Sequence, residues 1–261
     1  MLDLLRTRLR HGVRTTSFPP AAAALPPRFR GRPAFNPAAC PEGCHSCGTR
    51  SPSPLLVEGA AEHPVLDVGA CLFSPEEAAA CPAGAISYTG DYRMAATARS
   101  ALLTPDGHIE LARRLDDRMR RLFGRSLRLR SVVAGSCNGC EAELVALGNV
   151  VFDLGRFGVQ FVASPRHADG IVVTGAVNSN MRLALQKTYE AVPEPKLVIA
   201  VGACAISGGP FRGSPEVADG VGTLLPVDLW VPGCPPHPFT VLDGLLRLLG
   251  AIESGGRRET R

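Results

Sequence analysis

The sequence predicts an α/β fold with a parallel sheet in the second half of the chain, preceded by a smaller, metal-dependent domain. From residue 127 onward, short apolar runs alternate with helical patterns, and this alternation implies a parallel sheet. Between residues 40 and 88, five cysteines lie among Pro, Gly and Ser with little hydrophobic periodicity. With 45% apolar residues in 261, the chain has room for one full domain and a small one.

Changes in composition divide the chain into five predicted parts. Prolines recur from Pro19 to Pro37 and predict an extended segment without helix. The cysteine-rich stretch that follows needs a metal cluster in place of a core. The parts are an N-terminal extended segment (1–39), a small cysteine-rich domain (40–100), a connecting helix (101–126), a cluster-binding α/β domain (127–250) and a disordered tail (251–261).

The connecting helix is predicted from apolar residues at helical spacing. These residues are Leu111, Leu115, Met119, Leu122 and Phe123. Eight arginines lie between residues 113 and 130. We interpret this pattern as an amphipathic connecting helix docked on its neighbours; a helix on a membrane surface, whose large basic face would look similar, is the alternative.

The elements of the α/β domain are predicted in chain order. Helical patterns separate most of the apolar runs, and each run has the length of a core strand. The predicted strands are 127–134, 158–163, 170–174, 197–202 and 227–231, and the predicted helices are 139–150, 179–191 and 239–250.

Four cysteines of this domain, called here the C-terminal cysteine set, each follow a predicted strand: Cys137, Cys140, Cys204 and Cys234. The carboxyl ends of parallel strands lie along one edge of a sheet, so the four thiols are expected to converge. A Cys-x-x-Cys pair with two distant partners suits a [4Fe–4S] cluster better than a zinc ribbon, which has a second tight pair. The alternative is four buried core cysteines, but all four lie in Gly- and Pro-containing loops.

A second group of cysteines follows in part the C-x₂-C-x₂-C-x₃-C-P runs of two-cluster ferredoxins, in which the fourth Cys of each run binds the other cluster. On this template one site keeps Cys40, Cys44, Cys47 and Cys81, called here the N-terminal cysteine set. The other site would have Cys71, Ser74, Glu77 and Ser51, which are poor ligands for iron–sulfur chemistry apart from Cys71. We therefore expect one [4Fe–4S] cluster here and the loss of its twin. A zinc site made by Cys40, Cys44 and Cys47 with His45 or Cys81 is the alternative.

Four ordered motifs of the α/β domain resemble a known family. They are GSCNGCE at 135–141, VTGA at 173–176, VGACA at 201–205 followed by SGGPF at 207–211, and VPGCPP at 231–236. Together they are similar to the small, cluster-bearing subunit of energy-converting group 4 [NiFe] hydrogenases, including formate hydrogenlyase, which is related to the cluster N2 subunit of complex I. The resemblance covers roughly residues 127–250.

The N-terminal part resembles the two-cluster ferredoxin subunit of the same machinery, through TTSFP at 15–19, FRGRP at 29–33 and DYRMA at 91–95. The resemblances imply a flavodoxin-like parallel sheet domain preceded by a small ferredoxin-like α+β domain, as a fusion of two neighbouring subunits. They also imply two [4Fe–4S] clusters, one on each cysteine set, and electron transfer between them within an oxidoreductase. The implied partners are a hydrogenase-type large subunit, which would hold any Ni–Fe centre, and membrane subunits.

The branch of the family is indicated by the first cysteine pair. The complex I subunit usually has two adjacent cysteines at this site, whereas Cys137 and Cys140 are separated by two residues, a spacing that resembles the hydrogenase branch. Two alternatives remain: a quinone-reductase or ion-pump module of complex I type without Ni–Fe, and a metal-stabilised scaffold without redox activity.

Several function classes lack sequence support. No Ser-His-Asp set, Walker A loop or complete G-x-G-x-x-G after a strand is present, so neither hydrolysis nor nucleotide binding is predicted. A net charge of +4 is too small to indicate nucleic acid. No apolar run reaches the 18 or so residues of a membrane span, and the N-terminus does not look like a signal peptide. We therefore expect a cytoplasmic protein, peripheral on the inner face of the membrane through its partners.

A few polar residues near the C-terminal cysteine set are open to two interpretations. Glu141 and Glu143 could relay protons, although a helix N-terminus stabilises a glutamate regardless of function. His237 could donate a hydrogen bond toward a cluster sulfur or a quinone, or could face solvent. His167 and Asp169 are expected to be surface or capping residues.

Overall fold

The computed structural model describes residues 2–20, 25–41, 44, 47, 51, 56–57, 65–105, 108–124 and 126–252. His45, the alternative zinc ligand, lies outside the described residues, as does the predicted tail from residue 253 onward. Within the described part, no helix has both the length and the apolar character of a membrane span.

The elements are numbered along the chain. The helices are α1 (Leu2–His11), α2 (Pro75–Ala79), α3 (Asp117–Phe123), α4 (Gly139–Ala146), α5 (Ser179–Ala191), α6 (Ala203–Ser207) and α7 (Pro238–Leu248). The strands are β1 (Pro33–Phe35), β2 (Leu56–Val57), β3 (Val65–Asp67), β4 (Ile86–Tyr88), β5 (Leu103–Thr104), β6 (Leu127–Val133), β7 (Val159–Phe161), β8 (Gly170–Thr174), β9 (Leu197–Val201) and β10 (Leu229–Val231).

Among the described residues, the C-terminal strands form a five-stranded parallel sheet in the order β10-β9-β8-β6-β7. Counted from β6, this is the strand order 2-1-3-4-5 of flavodoxin-like sheets. The predicted α/β, flavodoxin-like fold class is confirmed. The strand order reverses direction between β6 and β8, so the carboxyl ends of these two strands mark the switch point at which such sheets bind ligands.

Both faces of this sheet are covered. All five residues of β8 and all five of β9 are buried, as expected for central strands between two helical layers. Alternate residues enter two different cores: Val172 and Ile199 pack on the α7 side, whereas Val173 and Val198 pack on the α5 side. This alternation explains why the strands are continuous apolar runs in the sequence.

Residues before the α/β domain complete both of these cores. Phe18 and Tyr92 pack with Phe239 of α7, and Met94 packs in the core on the opposite face of the sheet. The backbone of Ala96 also pairs with Trp230 of β10. The N-terminal part is therefore joined to the sheet domain by shared packing.

Helix α7 is buried along its whole length. It contains an ion pair in which Arg247 Nε lies 2.7 Å from Asp243 Oδ2, with side chains only 2% and 1% exposed. A charge at such a position must be paired, because burial of an isolated charge is very costly.

The N-terminal part is built from small antiparallel sheets. In the described residues, β1 pairs with β4, and β3 pairs with both β2 and β5. A third apolar core joins them and contains Phe35, Leu66, Ile86 and several cysteines. The ferredoxin-like character of this part remains a prediction.

Two predicted elements differ from the structure. The predicted extended segment 1–39 begins with a helix, α1, whose Leu and Arg residues are good helix formers. The predicted connecting helix 101–126 was too long, because α-helix covers only Asp117–Phe123 among the described residues of this range. Upstream of α3, the Ala112 and Leu115 amides donate to carbonyls of neighbouring segments, which takes them out of a helical pattern.

Candidate metal centre

The C-terminal cysteine set lies at the carboxyl edge of the parallel sheet. Cys137 lies in the loop between β6 and α4, and Cys140 is the second residue of α4. Cys204 lies in the first turn of α6 after β9, and Cys234 lies in the loop between β10 and α7. The short helix α6 was not predicted, because five residues are too few for helical periodicity.

The electrostatic behaviour of these thiols shows that they are neighbours. Burial raises the pKa of the Cys140 thiol, and Glu141 and the other three cysteines of the set raise it further. Burial likewise raises the pKa of Cys204 to about 11, with Cys234 and Cys137 contributing. Thiols influence one another in this way only at short range, which agrees with the expected convergence of the set; its role as a ligand set stays a prediction.

Close backbone approach shapes the site. Gly202 has φ +91° and ψ 157°, a conformation that is essentially restricted to glycine. A Cβ at this position would lie 2.5 Å from Cys140 Sγ. The Cys140 thiol is therefore packed closely against the backbone of Gly202, between β9 and Cys204.

The donor set fits a [4Fe–4S] cluster. Four thiols are the usual ligands of such a cluster, and Cys140 and Cys204 are half-buried whereas Cys137 and Cys234 are exposed. No three His, Cys, Asp or Glu side chains of the described residues are grouped closely enough to hold a single metal ion.

Glu141 links two loops at the switch point. Its Oε2 accepts a hydrogen bond from Ser136 Oγ at 2.8 Å, and its Oε1 accepts one from Thr174 Oγ1 at the end of β8. Burial raises the pKa of the neighbouring Glu143. Glu141 also lines a cavity of about 720 Å³ with Leu144, Val145 and Phe161. A proton-relay role for either glutamate stays a prediction.

His237 has a structural contact that the sequence did not indicate. It is the N-cap of α7, where its Nδ1 accepts a hydrogen bond from the Phe239 amide at 3.1 Å. Its ring packs against Phe29, Phe152 and Phe239, and burial lowers its pKa. Asp169 accepts from the Arg128 amide at 2.7 Å, and His167 is exposed.

The C-terminal half matches a known protein family. Residues 137–248 match the family described as NADH ubiquinone oxidoreductase, 20 Kd subunit. A relative from Pyrococcus furiosus, named probable membrane-bound hydrogenase subunit mbhJ, is 43% identical over 140 residues, which are 52% of this chain and 84% of that protein. The chain belongs to this family.

Two further relatives represent both branches of the 20 Kd subunit family. An NADH-quinone oxidoreductase subunit of Heliobacterium modesticaldum is 47% identical over 116 residues, or 44% of this chain and 66% of that protein. Formate hydrogenlyase subunit 7 of Escherichia coli is 43% identical over 129 residues, or 49% of this chain and 51% of that protein. The chain thus spans one half to two thirds of these two relatives, which are oxidoreductase subunits. The resemblance stated from the four motifs is confirmed.

The N-terminal cysteine set lies outside the region that matches the 20 Kd subunit family. Cys47 and Cys81 are buried in the third apolar core, and Cys40 packs against it. Burial raises the pKa of Cys40, and Cys44 and Cys81 raise it further. The structure thus brings these four cysteines into one neighbourhood, although their role as ligands stays a prediction.

Three of the residues at the predicted second site of the ferredoxin template, Cys71, Ser74 and Glu77, are joined by hydrogen bonds. Cys71 Sγ lies 3.3 Å from Glu77 Oε2, and the Ser74 amide donates to the same oxygen at 2.8 Å. Tyr88, which sequence reasoning missed, donates to Glu77 Oε2 at 2.8 Å. The amide of Ser51, the remaining member of the predicted site, donates to Cys47 O at 2.9 Å.

Proposed function

We propose that the chain is an iron–sulfur electron-transfer subunit of a membrane-associated [NiFe]-hydrogenase-like complex of formate hydrogenlyase type. The C-terminal cysteine set would hold one [4Fe–4S] cluster and the N-terminal cysteine set another. Each cluster, when bound, accepts and releases single electrons. The convergence of four thiols at the carboxyl edge of a flavodoxin-like sheet is the observation that carries this proposal.

The residues of the chain position and shield the C-terminal site. The half-buried Cys140 and Cys204 form its inner side, and the backbone of Gly202 is close enough to exclude water there. The exposed Cys137 and Cys234 form its outer side, where a hydrogenase-type large subunit would dock. Membrane subunits of the complex would then keep the chain on the cytoplasmic face of the membrane.

A second candidate is a module of complex I type whose large partner lacks Ni–Fe. The family description and the Heliobacterium relative favour it. The two-residue spacing between Cys137 and Cys140, together with the Pyrococcus and Escherichia relatives, supports the hydrogenase type.

Iron content and electron paramagnetic resonance (EPR) of the anaerobically purified complex test the ligand assignment. We expect Cys140→Ala to lose about four irons from this chain and one reduced-cluster signal. Cys71→Ala, a matched change at a buried cysteine outside both sets, should keep both signals. Equal losses in the two variants, or unchanged iron in Cys140→Ala, would refute the assignment.

Nickel analysis of the same complex distinguishes the two candidate functions. The hydrogenase type predicts nickel in the large partner and H₂ evolution with a low-potential electron donor. Redox-active clusters in a complex without nickel and without H₂ evolution would instead support the complex I type.

A further inference from the structure

Helix α1 is an amphipathic helix whose apolar side chains are exposed. None of its ten residues is buried by the described part of the chain. Its four leucines, Leu2, Leu4, Leu5 and Leu9, are between 59% and 82% exposed. A helix of this length is marginal in water unless its apolar face packs on something. The exposed leucines therefore point to a partner surface that covers them.

Three of these leucines form an apolar stripe with an arginine on each side. Leu2, Leu5 and Leu9 are spaced three and four residues apart, so they lie on one face of the helix. By the helical repeat, Arg6 lies on one side of this stripe and Arg8 on the other. Long arginine side chains can keep their charge in a polar layer while the apolar face beside them is buried. This arrangement is typical of helices that lie in the interface of a membrane.

The charge of this segment favours an anionic surface. Residues 2–14 contain one acidic residue, Asp3, and four arginines, which are Arg6, Arg8, Arg10 and Arg14. Asp3 lies 3.9 Å from Arg6 in an ion pair that is open to solvent, so it offsets at most one of the positive charges. Basic residues near a membrane are attracted by anionic lipids. A protein groove would need acidic groups at fixed places on both sides of the stripe, whereas an anionic bilayer supplies them on every side.

The attachment of α1 to the sheet domain leaves the C-terminal cysteine set accessible. The Thr16 amide, shortly after α1, donates to Val151 O at 2.9 Å, and Thr16 O accepts from Arg156 Nη2 at 2.5 Å. Val151 follows the end of α4, whereas Cys140 lies in the first turn of α4. The segment after α1 is thus fixed at the opposite end of α4 from the cysteine set. Binding through α1 does not require the surface of the exposed cysteines.

We propose that α1 binds the surface of an anionic lipid bilayer, with its leucine stripe at the boundary of the acyl chains and Arg6 and Arg8 on the lipid phosphates. This contact would hold the chain at a membrane directly, in addition to any membrane subunits. The proposed function brings a membrane within reach, and the inference rests on it in that respect only. Lipid binding by α1 needs a cluster at neither cysteine set.

Co-sedimentation of the full chain with lipid vesicles tests this inference. The vesicles are made of phosphatidylcholine alone or of phosphatidylcholine mixed with the anionic phosphatidylglycerol. We expect binding to the mixed vesicles that weakens as salt is added, because salt screens the arginines. Leu9→Gln should weaken this binding about tenfold or more, since it removes one buried leucine from the contact. Thr7→Gln is the matched control, because Thr7 lies on the face opposite the stripe, and this variant should bind like the wild type.

A second variant separates the charge from the apolar contact. Arg8→Gln should weaken binding to the mixed vesicles about fivefold and leave binding to the phosphatidylcholine vesicles unchanged. Hydrogen exchange of the full chain gives an independent readout. The amides of α1 should gain protection when mixed vesicles are added, whereas those of β8 and β9 should not change.

Three results would overturn the inference. They are equal binding of Leu9→Gln and Thr7→Gln, equal binding of the wild type to both kinds of vesicle, and failure of the full chain to bind the mixed vesicles. In the last case, protection of α1 in the complete complex would assign the helix to a protein partner instead. None of these results alters the iron, nickel and EPR measurements that test the proposed function, so the two proposals fail separately.

Discussion

The two cysteine sets are held by different kinds of structure. The C-terminal set follows strands of a parallel sheet whose central strands are buried on both faces. The N-terminal set lies around a small core between antiparallel strands of two or three residues. The first set therefore lies beside two large apolar cores, whereas the second lies in a small one. If each set binds its proposed cluster, metal binding should be coupled to folding mainly in the N-terminal part.

Of the predicted effects, that of iron removal should be the largest. The resulting loss of protection from hydrogen exchange should be confined to the N-terminal part. After treatment of the full chain with an iron chelator, we expect the amides of β3 and β4 to lose their protection from hydrogen exchange. The amides of β8 and β9 should keep theirs, because the sheet packs without metal. Mass spectrometry of the exchanged peptides measures both.

Two controls sharpen this comparison. Reconstitution with iron and sulfide should restore protection in β3 and β4. Cys140→Ala, which affects only the C-terminal set, should leave β3 and β4 protected. Equal loss of protection in β4 and β8 after chelation would show that the two regions fold as one metal-dependent unit.

A buried ion pair tests whether the sheet domain is stabilised by its own core. Asp243→Asn leaves Arg247 buried with a neutral partner, and breaking such a pair costs about 3–5 kcal/mol. Urea unfolding followed by fluorescence of Trp230, the sole tryptophan of the chain and a residue of β10, measures this loss.

An exposed pair is the control for Asp243→Asn. Lys187 and Glu190 lie 2.8 Å apart with side chains 68% and 47% exposed, and such pairs contribute at most about 1 kcal/mol. Glu190→Gln should therefore have little effect. Similar losses in both variants would contradict the view that the burial of α7 sets the stability of this domain.

The strands and helices of the sheet domain were predicted well because the sequence patterns that indicate them each lie within a short stretch of chain. Strand β8 and helix α5 were predicted at their observed bounds, since a continuous apolar run or a helical period is visible within a few residues. Helix α4 was predicted to reach residue 150 but ends at Ala146. The convergence of the C-terminal set followed from a general rule on parallel strand ends.

The N-terminal part was predicted less well because its structure depends on distant contacts. Strands β1 and β4 are three residues each and pair across about fifty residues of chain, so neither has a period to recognise. Glu77 was interpreted only as a poor replacement for a cysteine ligand. Its bond to Tyr88 joins α2 to β4, and no spacing rule predicts that contact.

Gly202→Ala should reduce stability less than Asp243→Asn but should have a specific effect on the C-terminal site. Gly202→Ala adds a Cβ 2.5 Å from Cys140 Sγ in a conformation that disfavours any side chain, at a cost of about 1–3 kcal/mol. Gly213→Ala is the matched control, because Gly213 also has positive φ, +78°, but a Cβ there would meet nothing within 4 Å. Both variants should lose some stability in urea, yet only Gly202→Ala should weaken the EPR signal that depends on Cys140. Loss of that signal in Gly202→Ala alone would show that contact between the loop after β9 and Cys140 positions the thiol. Loss of the signal in both variants would mean instead that backbone strain at either glycine disturbs the site.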